Sequence, residues 1–102
     1  MNFCLIILAG GKSHRFKSNL AKPYQKIGGK SLLEININKA LNFNQIKKII
    51  VVFNQKDLKK VKNLKYKNIQ LIVGGKSRKE STFNALKSVI KVKGITNVLI
   101  HD

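Results

Sequence analysis

The residues best placed to do chemistry are Leu8-Ala9-Gly10-Gly11-Lys12-Ser13-His14-Arg15-Phe16, followed six positions later by Lys22-Pro23. An apolar run, Phe3 to Leu8, stops in small residues, then a glycine pair, then two cations at a fixed distance. Small residues at the end of a buried strand let a flat base or a phosphate approach the backbone closely. Amide N–H groups in such a turn bind anionic oxygens, and Arg15 and Lys22 add full positive charge. The arrangement is that of a triphosphate grip.

It is not a Walker loop. Gly-Gly-Lys-Ser occurs at 10–13, 28–31 and 74–77, but the glycine a P-loop needs five positions earlier is replaced by Ile6, Tyr24 and Gln70. Turn glycines ahead of helix caps in a lysine-rich chain account for the recurrence. Neither His14 nor His101 has metal-ligand spacing with another His, Cys or carboxylate, so no zinc site is expected. Lysine outnumbers arginine 19 to 2, which sets Arg15 and Arg78 apart. Each lies beside a glycine-rich turn, and bidentate binding of phosphate or carboxylate is one physical reason to keep a guanidinium there. Ser81, one turn into its helix, either faces the cleft or bonds back to the backbone.

The elements that must position these residues alternate between strand and helix patterns. Phe3 to Leu8 is a continuous apolar run of strand length, suited to a central parallel strand buried on both faces. Gly28-Gly29 makes a turn, and Ser31 with Glu34 forms a capping box that opens a helix through Leu32, Leu33, Ile35, Ile37, Ala40 and Leu41. Ile49 to Phe53 is a β-branched strand, and Asp57 to about Lys65 a lysine-heavy helix. Ile69 to Val73 is a third strand, ending in Gly74-Gly75. Ser77 and Glu80 cap a helix whose apolar face is read as Phe83, Leu86, Val89 and Ile90. Val98 to Ile100 is the fourth strand, before His101-Asp102, and His101 is read as packing near the site. This pattern predicts an α/β fold: a Rossmann-like, mostly parallel sheet with flanking helices. Ligands of such sheets bind beyond the carboxyl ends of the strands, which is where Ala9-Gly10-Gly11, Gly74-Gly75 and Asp102 fall.

Composition excludes several classes. With 102 residues, 43% hydrophobic and 25% charged, the chain has the size and balance of one globular domain. The short first apolar run lacks a basic leader and a cleavage pattern, and no segment reaches membrane-spanning length, so a cytoplasmic protein without membrane partners is expected. Cys4 is read as a buried small hydrophobe. The net charge of +17 invites a nucleic-acid reading. Against it, the charge is mostly lysine scattered along the chain, and aromatic residues for base stacking are few. No specific nucleic-acid partner is expected, and a non-catalytic basic nucleotide- or nucleic-acid-binding module stays as the alternative of another class.

Taken together, the motifs resemble the cytidylyltransferase group of nucleotide-diphospho-sugar transferases, of GT-A-like type. They are most similar to the 2-C-methyl-D-erythritol 4-phosphate cytidylyltransferase family. The residues that carry the resemblance are Ala9-Gly10-Gly11-Lys12-Ser13-His14-Arg15-Phe16, Ala21-Lys22-Pro23-Tyr24 and Ile27 to Glu34. To these are added Gly74-Gly75-Lys76-Ser77-Arg78-Lys79-Glu80-Ser81 and His101-Asp102. Departures are Ser13 for a glycine, Ala21 for a proline and Pro23 for a glutamine. They bear on loop geometry and leave both cations in place.

The resemblance implies transfer of a cytidylyl group from CTP to 2-C-methyl-D-erythritol 4-phosphate with release of pyrophosphate, in the non-mevalonate route to isoprenoid precursors. A sibling activity on ribitol 5-phosphate or another sugar phosphate is the alternative. Arg15 and Lys22 become the catalytic residues, stabilising charge on the α-phosphate. Ala9, Gly10 and Gly11 wrap the nucleotide. Gly75, Lys76 and Ser81 lie along cytosine and ribose, and Asp102 near the ribose and Mg²⁺-bound phosphates. Mg²⁺ is held mainly through the phosphates of CTP. The partners implied are CTP and a sugar-alcohol phosphate, with a homodimer for the full-length enzyme. Residues 1–102 are expected to form the N-terminal nucleotide-binding half of a cytidylyltransferase domain, a fragment expected to be inactive alone.

Overall fold

The computed structural model describes residues 1–10, 24–64, 66 and 68–102. Its central sheet has four parallel strands in the order β5-β4-β1-β6: β1 (Phe3–Leu8), β4 (Ile46–Phe53), β5 (Ile69–Val73) and β6 (Asn97–His101). The second pair of strands in the chain, β2 (Lys26–Ile27) and β3 (Lys30–Ser31), forms a separate antiparallel hairpin. Its two-residue turn is Gly28-Gly29, both at positive φ, 62° and 86°, the geometry of a primed hairpin turn.

β1 is an interior strand, and its own side chains are apolar on both faces. Cys4 to Ala9 are all buried. Leu5, Ile7 and Ala9 face one cluster with Leu33, Ile37 and Ala40 of α1 (Leu32–Leu41) and Val61 of α2 (Leu58–Lys62). Cys4, Ile6 and Leu8 face the other with Ala85 and Val89 of α3 (Arg78–Ile90). Strand periodicity of two sorts these side chains onto opposite faces. The Cys4 thiol is free, and burial pushes its pKa up against a weaker opposing pull from Lys48, which fits a packing role.

The helices divide by the direction of travel. From β1 the chain steps outward to β4 and β5 with α1 and α2 on one face. It then returns through α3 to β6 on the other side of β1. Crossovers of one hand that run in opposite directions along a sheet must place their helices on opposite faces. Strand order therefore reverses at β1, and in open parallel sheets ligands bind beyond the carboxyl ends of the strands at such a point.

Both serine N-caps form, without the reciprocal bond from the glutamate side chain to the cap N–H. The Ser31 hydroxyl accepts from Glu34 N–H at 3.1 Å, and the Ser77 hydroxyl accepts from Glu80 N–H at 3.1 Å. Some expectations require correction. β4 starts at Ile46, three residues before the β-branched run. The second helix is only Leu58–Lys62, preceded by a 3-10 turn over Gln55–Asp57. On α3, Phe83 and Ile90 are exposed, at 59% and 82%, and the buried stripe is Ala85 and Val89, with Leu86 partly covered. Successive residues turn by about 100°, which sets Phe83 about 120° around the helix from Val89. β6 is exposed along its length, His101 included, and His101 adjoins Asp102, whose pKa Arg78 and, less strongly, His101 lower.

Candidate active site

The carboxyl edge of the sheet is held in register by backbone hydrogen bonds that run past the strand ends. Ala9 N–H donates to the Val52 carbonyl at 2.7 Å, and Gly74 N–H donates to the Phe53 carbonyl at 2.7 Å. The ends of β1, β4 and β5 are thereby joined into one ledge. Asn54, just past β4, turns the chain away by accepting a hydrogen bond on its side-chain oxygen from Lys56 N–H at 3.2 Å. A Cβ built on Gly10 would meet Asn54 N at 3.6 Å and the Phe53 carbonyl carbon at 3.8 Å, ordinary van der Waals contact. Packing among the described residues leaves room there for a side chain.

Gly74 is different. A Cβ on it would lie 2.8 Å from Ser81 Oγ and 3.3 Å from Val52 Cγ1. This glycine is required by the way α3 seats its first turn against the sheet. Ser81 Oγ accepts a hydrogen bond from Gly75 N–H at 3.0 Å, so Ser81 faces the Gly74-Gly75 turn at the sheet edge and keeps its own O–H to donate. Lys76 is exposed in the turn between Gly75 and the cap Ser77. α3 begins here, and its unpaired N–H groups and dipole favour negative charge.

Asp102 reaches this edge from the end of β6. Its carboxylate is gripped by Arg78 of α3, with Nε to Oδ1 at 2.8 Å and Nη2 to Oδ2 at 3.0 Å. The hydrogen bonds from Arg78, with its charge, hold the Asp102 carboxyl below the usual carboxylate range. Asp102 in turn raises the pKa of Arg78. Sequence reasoning singled out Arg78 for its guanidinium, but the partner lies 24 residues away and only the fold brings it there.

A second cluster was not foreseen. Tyr24 is buried at 6% exposure, in one cluster with Ala9, Leu33 and Phe53, and its hydroxyl has no hydrogen-bond partner among the described residues. Burial, and then the nearby Asp57 carboxylate, raise its pKa. Lys60 lies over the Tyr24 ring at 5.1 Å and pairs with the buried Asp57 at 3.1 Å. Residues 11–23, which carry Gly11, Arg15 and Lys22, lie outside the described residues. Ala9 on one side of that segment and Tyr24 on the other belong to the same core cluster.

The site thus unites Ala9, Gly10, Gly75, Lys76, Ser81 and Asp102 on one rim. Among the described residues no group of three or more His, Cys, Asp or Glu is arranged to hold a metal. Asp102, already paired with Arg78, is a single carboxylate at this rim, which fits a cation held mainly by phosphates better than a cage of protein ligands.

The profile of the IspD family, 2-C-methyl-D-erythritol 4-phosphate cytidylyltransferase, matches residues 3–102. The chain belongs to this family. It is 54% identical over 102 residues to the bifunctional enzyme IspD/IspF of Pelagibacter ubique, covering 100% of the chain and 27% of that protein. It is 41% identical over 102 residues to the 2-C-methyl-D-erythritol 4-phosphate cytidylyltransferase of Thermosipho melanesiensis, covering 95% of the chain and 44% of the relative. Among solved structures, 4-diphosphocytidyl-2C-methyl-D-erythritol synthase of Anaerococcus prevotii superposes with a TM-score of 0.74 at 30% identity, over 99% of this chain and 42% of that one. The bifunctional IspDF of Campylobacter jejuni gives 0.74 at 29% identity, over 95% and 25%. This IspD chain therefore has the nucleotide-diphospho-sugar transferase fold. It spans less than half the length of these relatives. No described helix is long and apolar enough to cross a membrane.

Proposed function

We propose that the complete polypeptide carrying this IspD chain transfers the cytidylyl group of CTP to 2-C-methyl-D-erythritol 4-phosphate and releases pyrophosphate, in isoprenoid precursor synthesis. One observation carries the reading: Ala9-Gly10, the Gly75–Ser81 turn and Asp102 meet on the carboxyl edge where strand order reverses, in a chain matched by the family over residues 3–102.

In the reaction a phosphate oxygen of the acceptor attacks the α-phosphorus of CTP in line. The new O–Pα bond forms as the bond to the pyrophosphate oxygen breaks, and both electrons of that bond leave with pyrophosphate. No covalent enzyme intermediate is needed, so the protein works by positioning and by neutralising charge. Ala9, Gly10 and Gly11 are the residues assigned to the backbone contacts with the nucleotide. Gly75, Lys76 and Ser81 border the base and ribose, with the Ser81 O–H as donor. Asp102 accepts from a ribose hydroxyl and would help hold Mg²⁺ where the metal is bound on the phosphates. Arg15 and Lys22 neutralise charge on the α-phosphate. Mg²⁺, carried in on the triphosphate, spreads the negative charge of the phosphates when bound. The working form is a homodimer in the cytoplasm.

The test is pyrophosphate release by the purified complete polypeptide across CTP, UTP, GTP and ATP, each with 2-C-methyl-D-erythritol 4-phosphate or ribitol 5-phosphate. Turnover confined to CTP with the erythritol phosphate is expected. Preference for another nucleotide or for ribitol 5-phosphate overturns the assignment. So does absence of turnover together with tight, steeply salt-dependent binding to arbitrary nucleic acid.

A further inference from the structure

We infer that Arg78 is the positioning residue of the nucleotide site. It acts through Asp102, fixing that carboxylate in its ionised form and in one orientation for the ribose hydroxyls of CTP or the Mg²⁺ bound on its phosphates. The inference rests on the cytidylyl-transfer reading and adds to it a residue that makes no contact with the reacting atoms.

Three observations carry it. The contact is bidentate, with two separate N–H donors meeting two separate carboxylate oxygens at 2.8 and 3.0 Å, so the carboxylate plane is fixed as well as its distance. The pair joins the first residue of α3 to the residue after β6, two elements that flank the end of β1 where strand order reverses. And the chain places arginine here although it uses lysine at 19 of its 21 basic positions. An ammonium supplies the same charge but cannot set a carboxylate plane.

Many exposed ion pairs contribute nothing measurable to stability, and Arg78 and Asp102 are exposed, at 63% and 66%. Within this chain the pair therefore adds little to stability, and its bidentate geometry is the stronger reason for it. The stoichiometry of donors and acceptors allows it. Arg78 spends Nε–H and one Nη2–H on Asp102, and each carboxylate oxygen keeps a second lone pair for the ligand. Among the described residues, Arg78 from α3, by its hydrogen bonds first and then its charge, and His101 at the end of β6 lower the pKa of Asp102, against a raising effect of burial.

The experiment is a double-mutant cycle in the complete polypeptide with Arg78→Gln, Asp102→Asn and the double variant, plus Arg78→Lys, read as kcat and KM for CTP. Arg78→Gln is expected to lower kcat/KM for CTP about tenfold to a hundredfold, the usual cost of losing a residue that orients a ligand-binding group. Melting temperature should stay within about 2 °C of the parent, as for other surface substitutions. Arg78→Lys should recover only a minor part of the loss. The double variant should be no worse than Asp102→Asn alone. The acid limb of the kcat/KM profile should move to higher pH in Arg78→Gln, because Asp102 loses the partner that holds its pKa down. Arg78→Gln within twofold of the parent, full rescue by lysine, or losses that multiply in the double variant overturn the inference while leaving cytidylyl transfer intact. A parent that neither turns over nor binds CTP overturns the underlying reading, and the inference with it.

Discussion

Ser81 Oγ stands 3.0 Å from Gly75 N and accepts its hydrogen bond, so a side chain from the second turn of α3 fixes the backbone of the turn that precedes the helix. The bond turns a flexible glycine pair into a shaped edge and leaves the serine hydroxyl hydrogen aimed elsewhere. Ser81→Ala should lower kcat/KM for CTP about tenfold, the equivalent of roughly one hydrogen bond. Gly75 N–H is exposed and will turn to water, so the melting temperature should hardly change. Steady-state kinetics beside a thermal melt checks this, and unchanged kinetics contradicts it.

Gly10 and Gly74 lie on the same ledge but answer to different demands. Gly10→Ala meets only ordinary contacts among the described residues, so the variant should fold with near-parental stability and lose CTP affinity. Gly74→Ala drives a methyl to 2.8 Å from Ser81 Oγ and 3.3 Å from Val52, and should cost about 1–3 kcal/mol of stability by overpacking. Urea unfolding and CTP titration of both variants separate the two effects. Equal stability losses would contradict the distinction.

Arg15 and Lys22 are the two cations assigned to the α-phosphate. Arg15→Ala and Lys22→Ala should each lower kcat about 10²–10³-fold, as removal of other preorganised charge stabilisers does. KM for CTP should change less. Near-parental kcat in the Lys22→Ala protein would remove that residue from the chemistry.

Tyr24 lies beside the Lys60–Asp57 pair and buries a hydroxyl that has no partner among the described residues. Tyr24→Phe deletes that unsatisfied group and keeps the ring under Lys60, so stability should be unchanged or rise by up to about 1 kcal/mol. The urea midpoint, at constant m, is the readout. A loss above about 1 kcal/mol would mean that the hydroxyl has a partner in the native protein.

What could be read from the sequence was what is local. Phe3 to Leu8 announces a strand buried on both faces by its unbroken apolar run. Ser31 with Glu34 and Ser77 with Glu80 announce helix starts three residues apart, and both caps form. The Gly28-Gly29 turn was legible, but its two-residue strands were not, because two residues carry no periodicity. The stripe on α3 was misjudged because Phe83 and Ile90 are apolar without being buried, and small Ala85 hides at the contact. Pairings across the chain were out of reach. Arg78 and Asp102 are 24 residues apart, and Lys60 over Tyr24 depends on how α2 lies on the first core cluster. Side-chain partners at such separations follow from strand order, which the pattern of elements narrows but does not assign.

The central claim is that CTP occupies the carboxyl edge of the sheet beside β1 and β6. Backbone amide chemical shifts of the complete polypeptide, followed by NMR through a titration with CTP and Mg²⁺, test it most directly. The account expects the largest changes at Gly10, Gly75, Lys76, Ser81 and Asp102. Asn2, Lys47, Lys48 and Lys93, which line a basic hollow at the opposite edge, should stay still. Changes centred on that hollow, with the Gly75 and Asp102 amides unmoved, would contradict the account.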